Sequence, residues 1–433
     1  MPSFACVHHI EIGTTDGPGT VDVLKNRFTF TLRATRFTPV ADQWLLVKKN
    51  TRFLVTCLKC GDKERIQKDE YVINWALDTS PASSNCSKLP HKDSVFNVSF
   101  EVKDLDASLH RLRDQGVTVS KQPRTVADKE GCVRSVVVKS CVGDIHHTLI
   151  DKRDYNGFFL PGFTPVDEVE SIKGISLKSD RPKLDSALET FDHVALAVQM
   201  DTSTEVIGWY ERCFGMKRFL INSDEDKNQG LVLSNKNVGL RLRAMEYWKC
   251  AEVGLVAPGE GTESRLSMVI AEGLPPFPGS SEENQIESWM RQHGGPGIQH
   301  VAITSSDIKV TVPNLKLYGA QFASPPPPAY YSEAGRLQDI IMAGEDVEAL
   351  RAHGILIDTE ADGIHSLSQN STNVNSEPKD SYLLQVFTKP MLKSDPFFME
   401  IIQREGASGF GSGNITALYR SVQASIVNEQ RQP

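Results

Sequence analysis

The sequence predicts an α+β protein of four β-α-β-β-β modules, two in each half of the chain, each half an open barrel of mixed sheet. Three observations lead there: the chain resembles itself at a spacing of about half its length, the matching segments alternate apolar and polar residues with period 2, and single helical stretches separate the groups of strands.

The elements follow in order. His9-Ile10-Glu11-Ile12 and His193-Val194-Ala195-Leu196 each open a strand, and each strand leads to a helical stretch closing on a Phe, Phe30 and Phe214, at a common offset of 184 (193 minus 9, 214 minus 30). Lys49-Asn50 and Lys236-Asn237 are matching turns, the first lying between Leu45 to Val47 and Phe53 to Val55, as in a hairpin. Phe96 to Phe100 leads to Asp104-Leu105 and a helix ending at Gly116. Gln299 to Ile303 leads to Asp307-Ile308 and Gly319, at an offset of 203 (300 minus 97, 319 minus 116). The closing strands are Val136 to Lys139 and His147 to Lys152 in the first half, Leu383 to Phe387 and Phe398 to Arg404 in the second. The predicted divisions are a first domain over 1–155, a linker over 156–186, a second domain over 187–408 and a closing helix and tail over 409–433. In that tail Asn414, Ala417, Leu418 and Val422 recur near helical spacing behind a Gly-Phe-Gly-Ser-Gly hinge, which predicts a helix over 409–422 that closes over a pocket. The polar segment 356–381 reads as a flexible insertion between strands, and Pro325 to Pro328 as a short rigid run.

Composition excludes several functions. The 433 residues are 39% hydrophobic and 24% charged, a globular profile with length for about two to three domains. Lys and Arg number 47 against 55 Asp and Glu, a net charge of −8, and the basic residues are scattered, so nucleic acid and anionic membrane are not expected partners. No apolar run is long enough to span a bilayer. Glu11 and Asp16 precede the first basic residues, Lys25 and Arg27, so the start reads as part of the fold rather than a signal or transit peptide. The eight cysteines are too few for a disulfide scaffold and sit mostly in apolar stretches, which suits a reducing compartment. Cys57 and Cys60 have no second pair at zinc-finger spacing.

Three residues of the second half form a candidate metal site. His193, His300 and Glu400 fall on three different strands, and small residues, Ala195, Ala197 and Ala302, share the faces of the two histidines. Two imidazoles and a carboxylate suit a facial triad for non-haem Fe(II), with zinc the rival metal. A single histidine on an apolar strand is usually a core residue bonded to backbone. The repeat supplies a comparison, because the equivalent positions in the first half carry His9, Asn97 and Thr148, the last at an offset of 252 (400 minus 148). One ligand type of three remains there, so the first half is expected to be structural.

At this point the second half resembles the 4-hydroxyphenylpyruvate dioxygenase family, which has the vicinal-oxygen-chelate fold. The segments that carry the resemblance are Gly294-Gly295-Pro296-Gly297-Ile298-Gln299-His300-Val301-Ala302, Tyr382-Leu383-Leu384-Gln385-Val386-Phe387-Thr388-Lys389-Pro390, Phe397 to Arg404, and Gly409-Phe410-Gly411-Ser412-Gly413-Asn414. Similarity is strong over 187–425 and weaker before 155, and the tail with the Pro325 to Tyr331 run is similar to the animal dioxygenase-like branch. The resemblance implies one Fe(2+) per chain held by His193, His300 and Glu400. It implies a 2-oxo acid that binds iron through carboxylate and carbonyl and serves as its own reductant for O2. It implies a substrate pocket with Gln285, Gln299 and Gln385, whose amides both donate and accept and so suit a phenol hydroxyl, with Phe398 and Phe410 against the ring and Asn414 in the tail. Mitochondrial location, with the cytoplasm as alternative, and a homodimer are further implications.

Two departures from the family pattern bear on the product. The family places Pro-x-Asn on a strand where Gly254-Leu255-Val256 is aligned here, so Val256 replaces a carboxamide beside the ring, and Ile415 replaces the aromatic that usually follows the tail Asn. Apolar replacements also occur in 4-hydroxymandelate synthase, a sister enzyme. Ring hydroxylation and benzylic hydroxylation differ in which carbon meets the oxidant, and about an angstrom of ring displacement decides between them. The expected product from 4-hydroxyphenylpyruvate is therefore 4-hydroxymandelate, a precursor type for a quinone head group such as that of coenzyme Q. Homogentisate is the runner-up, and a catalytically silent binding module the alternative of another class.

Overall fold

The structure, a computed structural model, describes residues 7–59, 62–73, 92–166, 171–172, 175–176, 187–221, 225–226, 228–235, 238–247, 266–275, 284–332, 334–360, 381–407, 409–411 and 413–414. The first half contains strands β1 (Val7–Gly13), β2 (Thr31–Phe37), β3 (Ala41–Lys48), β4 (Thr51–Leu58), β5 (Ser94–Glu101), β6 (Val119–Asp128), β7 (Gly131–Lys139), β8 (His146–Asp151) and the short β9 (Thr164–Pro165), with helices α1 (Gly17–Asp22), α2 (Lys63–Lys68) and α3 (Leu105–Asp114). A small hairpin, β10 (Ser171–Ile172) and β11 (Ile175–Ser176), lies between the halves in sequence. The second half contains β12 (Leu188–Val198), β13 (Met216–Phe219), β14 (Leu231–Asn235), β15 (Val238–Tyr247), β16 (Ser267–Gly273), β17 (Gly297–Ser305), β18 (Leu356–Glu360), β19 (Ser381–Phe387) and β20 (Phe398–Glu405). Its helices are α4 (Ser203–Phe214), α5 (Gln285–His293), α6 (Ile308–Leu317), α7 (Ala329–Ser332), α8 (Ala334–Met342) and α9 (Val347–His353).

Each half is one curled mixed sheet of nine strands. The orders are β6-β7-β8-β5-β1-β4-β3-β2-β9 and β13-β15-β16-β12-β17-β20-β19-β18, with β14 also on β15. In both, the first strands of two modules pair antiparallel at the centre, β1 with β5 and β12 with β17, and each also takes a parallel partner from the end of its own module. This is the vicinal-oxygen-chelate architecture, and register makes the repeat exact at residue level. Glu11 faces Asn97 as Ala195 faces His300, and His9 faces Ser99 as His193 faces Ala302. Asn97 pairs with His146 as His300 pairs with Phe398, so Thr148 stands where Glu400 does.

Local chemistry explains the matching helices. Asp104 caps α3 by accepting from Ala107 N at 3.0 Å, and Asp307 caps α6 by accepting from Val310 N at 3.1 Å. Past their ends Gly116 and Gly319 adopt φ of 74° and 89°, a left-handed turn that glycine makes without steric cost. Alternation along β12 sends Val194, Leu196 and Val198 to the helix-covered face, where they join a single apolar core with residues of both halves. Ala195 and Ala197 belong to a second cluster on the other face.

Several expectations are corrected. The first helix stops at Asp22 and continues as a π-helical turn, Val23–Arg27, three residues short of Phe30. Leu356–Glu360, read as the start of an insertion, is the edge strand β18 because it pairs residue for residue with β19, and residues 361–380 lie outside the described residues. Residues 156–166, assigned to a linker, pack on the first sheet: Phe159 and Leu160 are buried and Thr164–Pro165 pairs with β2. The Lys236-Asn237 turn and the tail beyond Asn414 lie outside the described residues; Gly413 and Asn414 are the helical residues of the predicted closing helix that are described.

The halves meet at a buried acid-histidine-acid cluster. His293, the last residue of α5, has Nδ1 2.5 Å from Asp395 Oδ2 in the second half and Nε2 3.4 Å from Asp144 Oδ1 in the first. Lys92 Nζ lies 3.7 Å from the other Asp144 oxygen. The glycine motif makes room for this. A Cβ on Gly297 would lie 2.3 Å from His293 Nε2, and a Cβ on Gly143 would lie 1.8 Å from the Pro296 carbonyl oxygen. Burial pushes the His293 pKa down, but Asp144 and Asp395 outweigh it and leave the group raised. A raised histidine contributes stability below its unfolded value, lost as pH rises through the folded one. His293→Gln should therefore destabilise the fold by about 3 kcal/mol near pH 6 and by clearly less near pH 9. Urea unfolding at both pH values measures this, and an equal loss at both would refute the role.

Candidate metal centre

Alternation on three strands brings the predicted ligands to one point on the concave face of the second sheet. His193 Nε2 lies 3.3 Å from His300 Nε2 and 3.2 Å from Glu400 Oε2, and His300 Nε2 lies 3.3 Å from the same oxygen. Among the described residues this is the one group of three metal-ligating side chains with converging donor atoms. Bonds of about 2.1 Å meeting at right angles or at the tetrahedral angle separate ligand atoms by about 3.0 and 3.4 Å, so the triangle has the size a transition metal requires. The donor set fits as well, since Glu400 Oε1 is buried with no hydrogen-bond partner and the two Nε2 atoms and Glu400 Oε2 converge on one another.

The ligands are held from behind. His193 Nδ1 is 2.8 Å from Asp192 Oδ1, and Gln299 Oε1 is 3.1 Å from His300 Nδ1, which fixes both imidazoles with Nε2 toward the metal position. Arg404 donates to both Asp192 oxygens, at 2.7 and 2.8 Å. Burial pushes the His193 pKa down, yet Glu400 and then Asp192 more than offset it and hold the group up at about 9. Burial also lowers His300, whereas the two histidines outweigh burial at Glu400 and keep its carboxyl below the ordinary range.

The other predicted site residues divide. Phe398 stacks on the His300 ring with centroids 4.8 Å apart, and Phe410 meets the His193 ring edge-on at 4.9 Å. Gln385 is fully buried on the Glu400 face, packed over Gly411, and both its amide atoms are without hydrogen-bond partners. Gln299 is committed to His300, and Gln285 is exposed at the first position of α5, outside the buried site. Asn414 anchors the tail by accepting from the Tyr330 hydroxyl at 2.6 Å. Val256 and Ile415 lie outside the described residues. The strand that lies parallel against β12 is β16, so on that wall the residues beside His193, Ala195 and Ala197 are Ser267, Val269 and Ala271. Sequence reasoning missed Asp192 and Arg404, whose signal was the charge preceding His193 and following Glu400 by four residues.

The first half fills the same place differently. Glu11 accepts from Thr56 Oγ1 at 2.6 Å and from Asn97 Nδ2 at 2.9 Å, and Asn97 Nδ2 also reaches Thr148 Oγ1 at 2.9 Å. Burial pushes the Glu11 carboxyl up to about 7. Phe159 meets the His9 ring at 5.3 Å as Phe410 meets His193, so each half ends in an aromatic stopper over its first histidine.

Fold and site together define a vicinal-oxygen-chelate protein with a two-histidine, one-carboxylate centre in its second half. No family model matches the chain. The mouse 4-hydroxyphenylpyruvate dioxygenase-like protein is 32% identical over 356 residues, covering 81% of this chain and 84% of that protein. The human protein of the same description is 32% identical over 339 residues (78% and 79%), and the 4-hydroxyphenylpyruvate dioxygenase of Aspergillus fumigatus 30% over 334 (77% and 71%). A solved triple mutant of 4-hydroxymandelate synthase from Streptomyces coelicolor superposes with a TM-score of 0.67 at 20% identity, covering 98% and 99% of the two chains. The chain belongs to the 4-hydroxyphenylpyruvate dioxygenase family.

Co(II) or Fe(II) added without O2 should bind at one equivalent and raise the unfolding free energy by about 2.7 kcal/mol at a hundred times its Kd. Glu400→Gln should abolish that increment, because a neutral amide cannot offset the cation's charge. His9→Ala should leave the stoichiometry at one, and a second equivalent lost with His9 would contradict a single centre.

Proposed function

We propose that the chain is an Fe(II)-dependent dioxygenase that converts 4-hydroxyphenylpyruvate and O2 to 4-hydroxymandelate and carbon dioxide. The convergence of His193, His300 and Glu400 at 3.2–3.3 Å beside a buried, unpartnered Gln385 carries this reading. His193, His300 and Glu400 would hold the iron on one side, and bound there it would supply the redox chemistry between a 2-oxo acid and O2. Gln385 offers a donor and an acceptor to the phenol hydroxyl at no cost in broken protein hydrogen bonds. Phe398 and Phe410 flank the histidines, and Ala195, Ala197, Val269 and Ala271 form an apolar wall that keeps water from the reacting carbons.

The choice of product rests on that wall. The family resemblance associates ring hydroxylation with a carboxamide at the position aligned with Val256 and an aromatic at that of Ile415; both are aliphatic here, and Val269 and Ala271 on the wall beside His193 present no carboxamide either. Without it the ring is free to settle with its methylene nearer the metal, which favours benzylic hydroxylation. The runner-up is homogentisate formation, favoured by the kinship with 4-hydroxyphenylpyruvate dioxygenases. Chromatography of the products from 4-hydroxyphenylpyruvate, Fe(II) and O2 separates the readings. The expected main product is 4-hydroxymandelate. Homogentisate would overturn the wall argument alone, and iron binding with no product from this substrate would leave a binding protein.

A further inference from the structure

We infer that Arg404 is a positioning residue that couples Ala407 and Gly409, the backbone leading to Phe410, to the metal ligand His193 through Asp192; this rests on the proposed metal centre. The guanidinium divides its donors between two tasks. Nε and Nη2 form a two-point clamp on Asp192, at 2.7 and 2.8 Å, while Nη1 donates to the carbonyls of Ala407 and Gly409 at 3.2 and 2.6 Å. Asp192 holds His193 Nδ1 at 2.8 Å, and the His193 Nε2 on the far side of the ring is a corner of the ligand triangle. The same guanidinium lies 5.4 Å from the centroid of Phe410, which meets His193 edge-on, and the next residue, Gly411, lies against Gln385. One side chain therefore holds both the backbone that carries Phe410 against His193 and the carboxylate that aims that histidine.

The first half provides an internal comparison. By the register that equates His9 with His193 and Thr148 with Glu400, the positions of Asp192 and Arg404 are taken by His8 and Lys152. There His8 Nδ1 is 2.8 Å from His9 Nδ1, where Asp192 stands behind His193, and among the described residues the other hydrogen-bond partner of the His9 ring is the Ser99 hydroxyl at 3.1 Å. The clamp is present in the half that has the ligand set and absent from the half that lacks it. A role in packing alone would have no reason to follow the ligands, because both halves carry the aromatic stopper.

Two sites that share one clamp are linked reciprocally: whatever closure adds to metal affinity, metal binding adds to closure. The test is hydrogen exchange of peptides spanning 405–414 with and without Co(II) alone, together with Co(II) titration read by its visible spectrum. In the unaltered chain Co(II) should slow exchange in that segment. Asp192→Asn and Arg404→Met should each weaken Co(II) binding about 10- to 100-fold and remove the metal-dependent protection. Arg404→Lys should restore charge and folding but neither the two-point clamp nor the protection. If Arg404→Met does not fold, the near-isosteric Asp192→Asn carries the same comparison. Co(II) binding to the unaltered chain without protection of the segment would overturn the coupling, as would variants with unchanged affinity and unchanged protection. Failure of the unaltered chain to bind Co(II) at all would instead remove the metal centre.

Discussion

The register between β12 and β17 is the constraint on which the rest depends. Ala195 stands opposite His300 and His193 opposite Ala302, which in turn lies opposite Glu400 on β20. Each ligand thus faces an alanine on the neighbouring strand, and the three reach diagonally across small residues to one point. Side chains alternate with a period of two, so a slip of one residue would send an imidazole into the apolar core behind the sheet and a valine into the site. Sheet curvature, the parallel third strand and the helices on the convex face all serve to hold that pairing.

The parts of this arrangement legible in the sequence are those with a period or an offset. Strand alternation around His193 and His300 and the common offset of their flanking segments identified both the modules and the ligands, because a repeat converts three isolated residues into a comparison. What was not legible joins residues far apart with no periodic trace. Asp192 and Arg404 meet across 212 positions, and Asp144 reaches His293 only because two glycines let backbone and ring approach. Strand pairing lines the wall beside β12 with Ser267–Gly273, to which no spacing in the sequence pointed, and Gly254 to Val256 lie outside the described residues. Pairing partners are a property of the sheet, and a short apolar run has no means of declaring its neighbours.

The two halves solve the same interior in opposite ways. In the first, a carboxyl, an amide and two hydroxyls satisfy one another inside the sheet, so every donor finds an acceptor and nothing remains for a ligand. In the second, two imidazole nitrogens and a carboxylate oxygen converge on the shared space with their outer nitrogens occupied, and one proton there is all that a cation would have to displace. The difference between the two interiors is a matter of which hydrogen bonds are left unmade, at an energetic cost of a few kcal/mol for each buried group.

The contact between Gly143 and Pro296 carries a lesson for reading sequence variants. Gly143 lies in the half without ligands, on a loop with φ of 48°, and its missing side chain leaves room for a carbonyl four residues before His300. Distance from His193, His300 and Glu400 along the chain, or membership of the half without them, would class a Gly143→Ala allele as benign. Its steric burden falls instead on the backbone that leads to His300, so genotype at a position with no chemistry of its own can present as a displaced side chain in the other half.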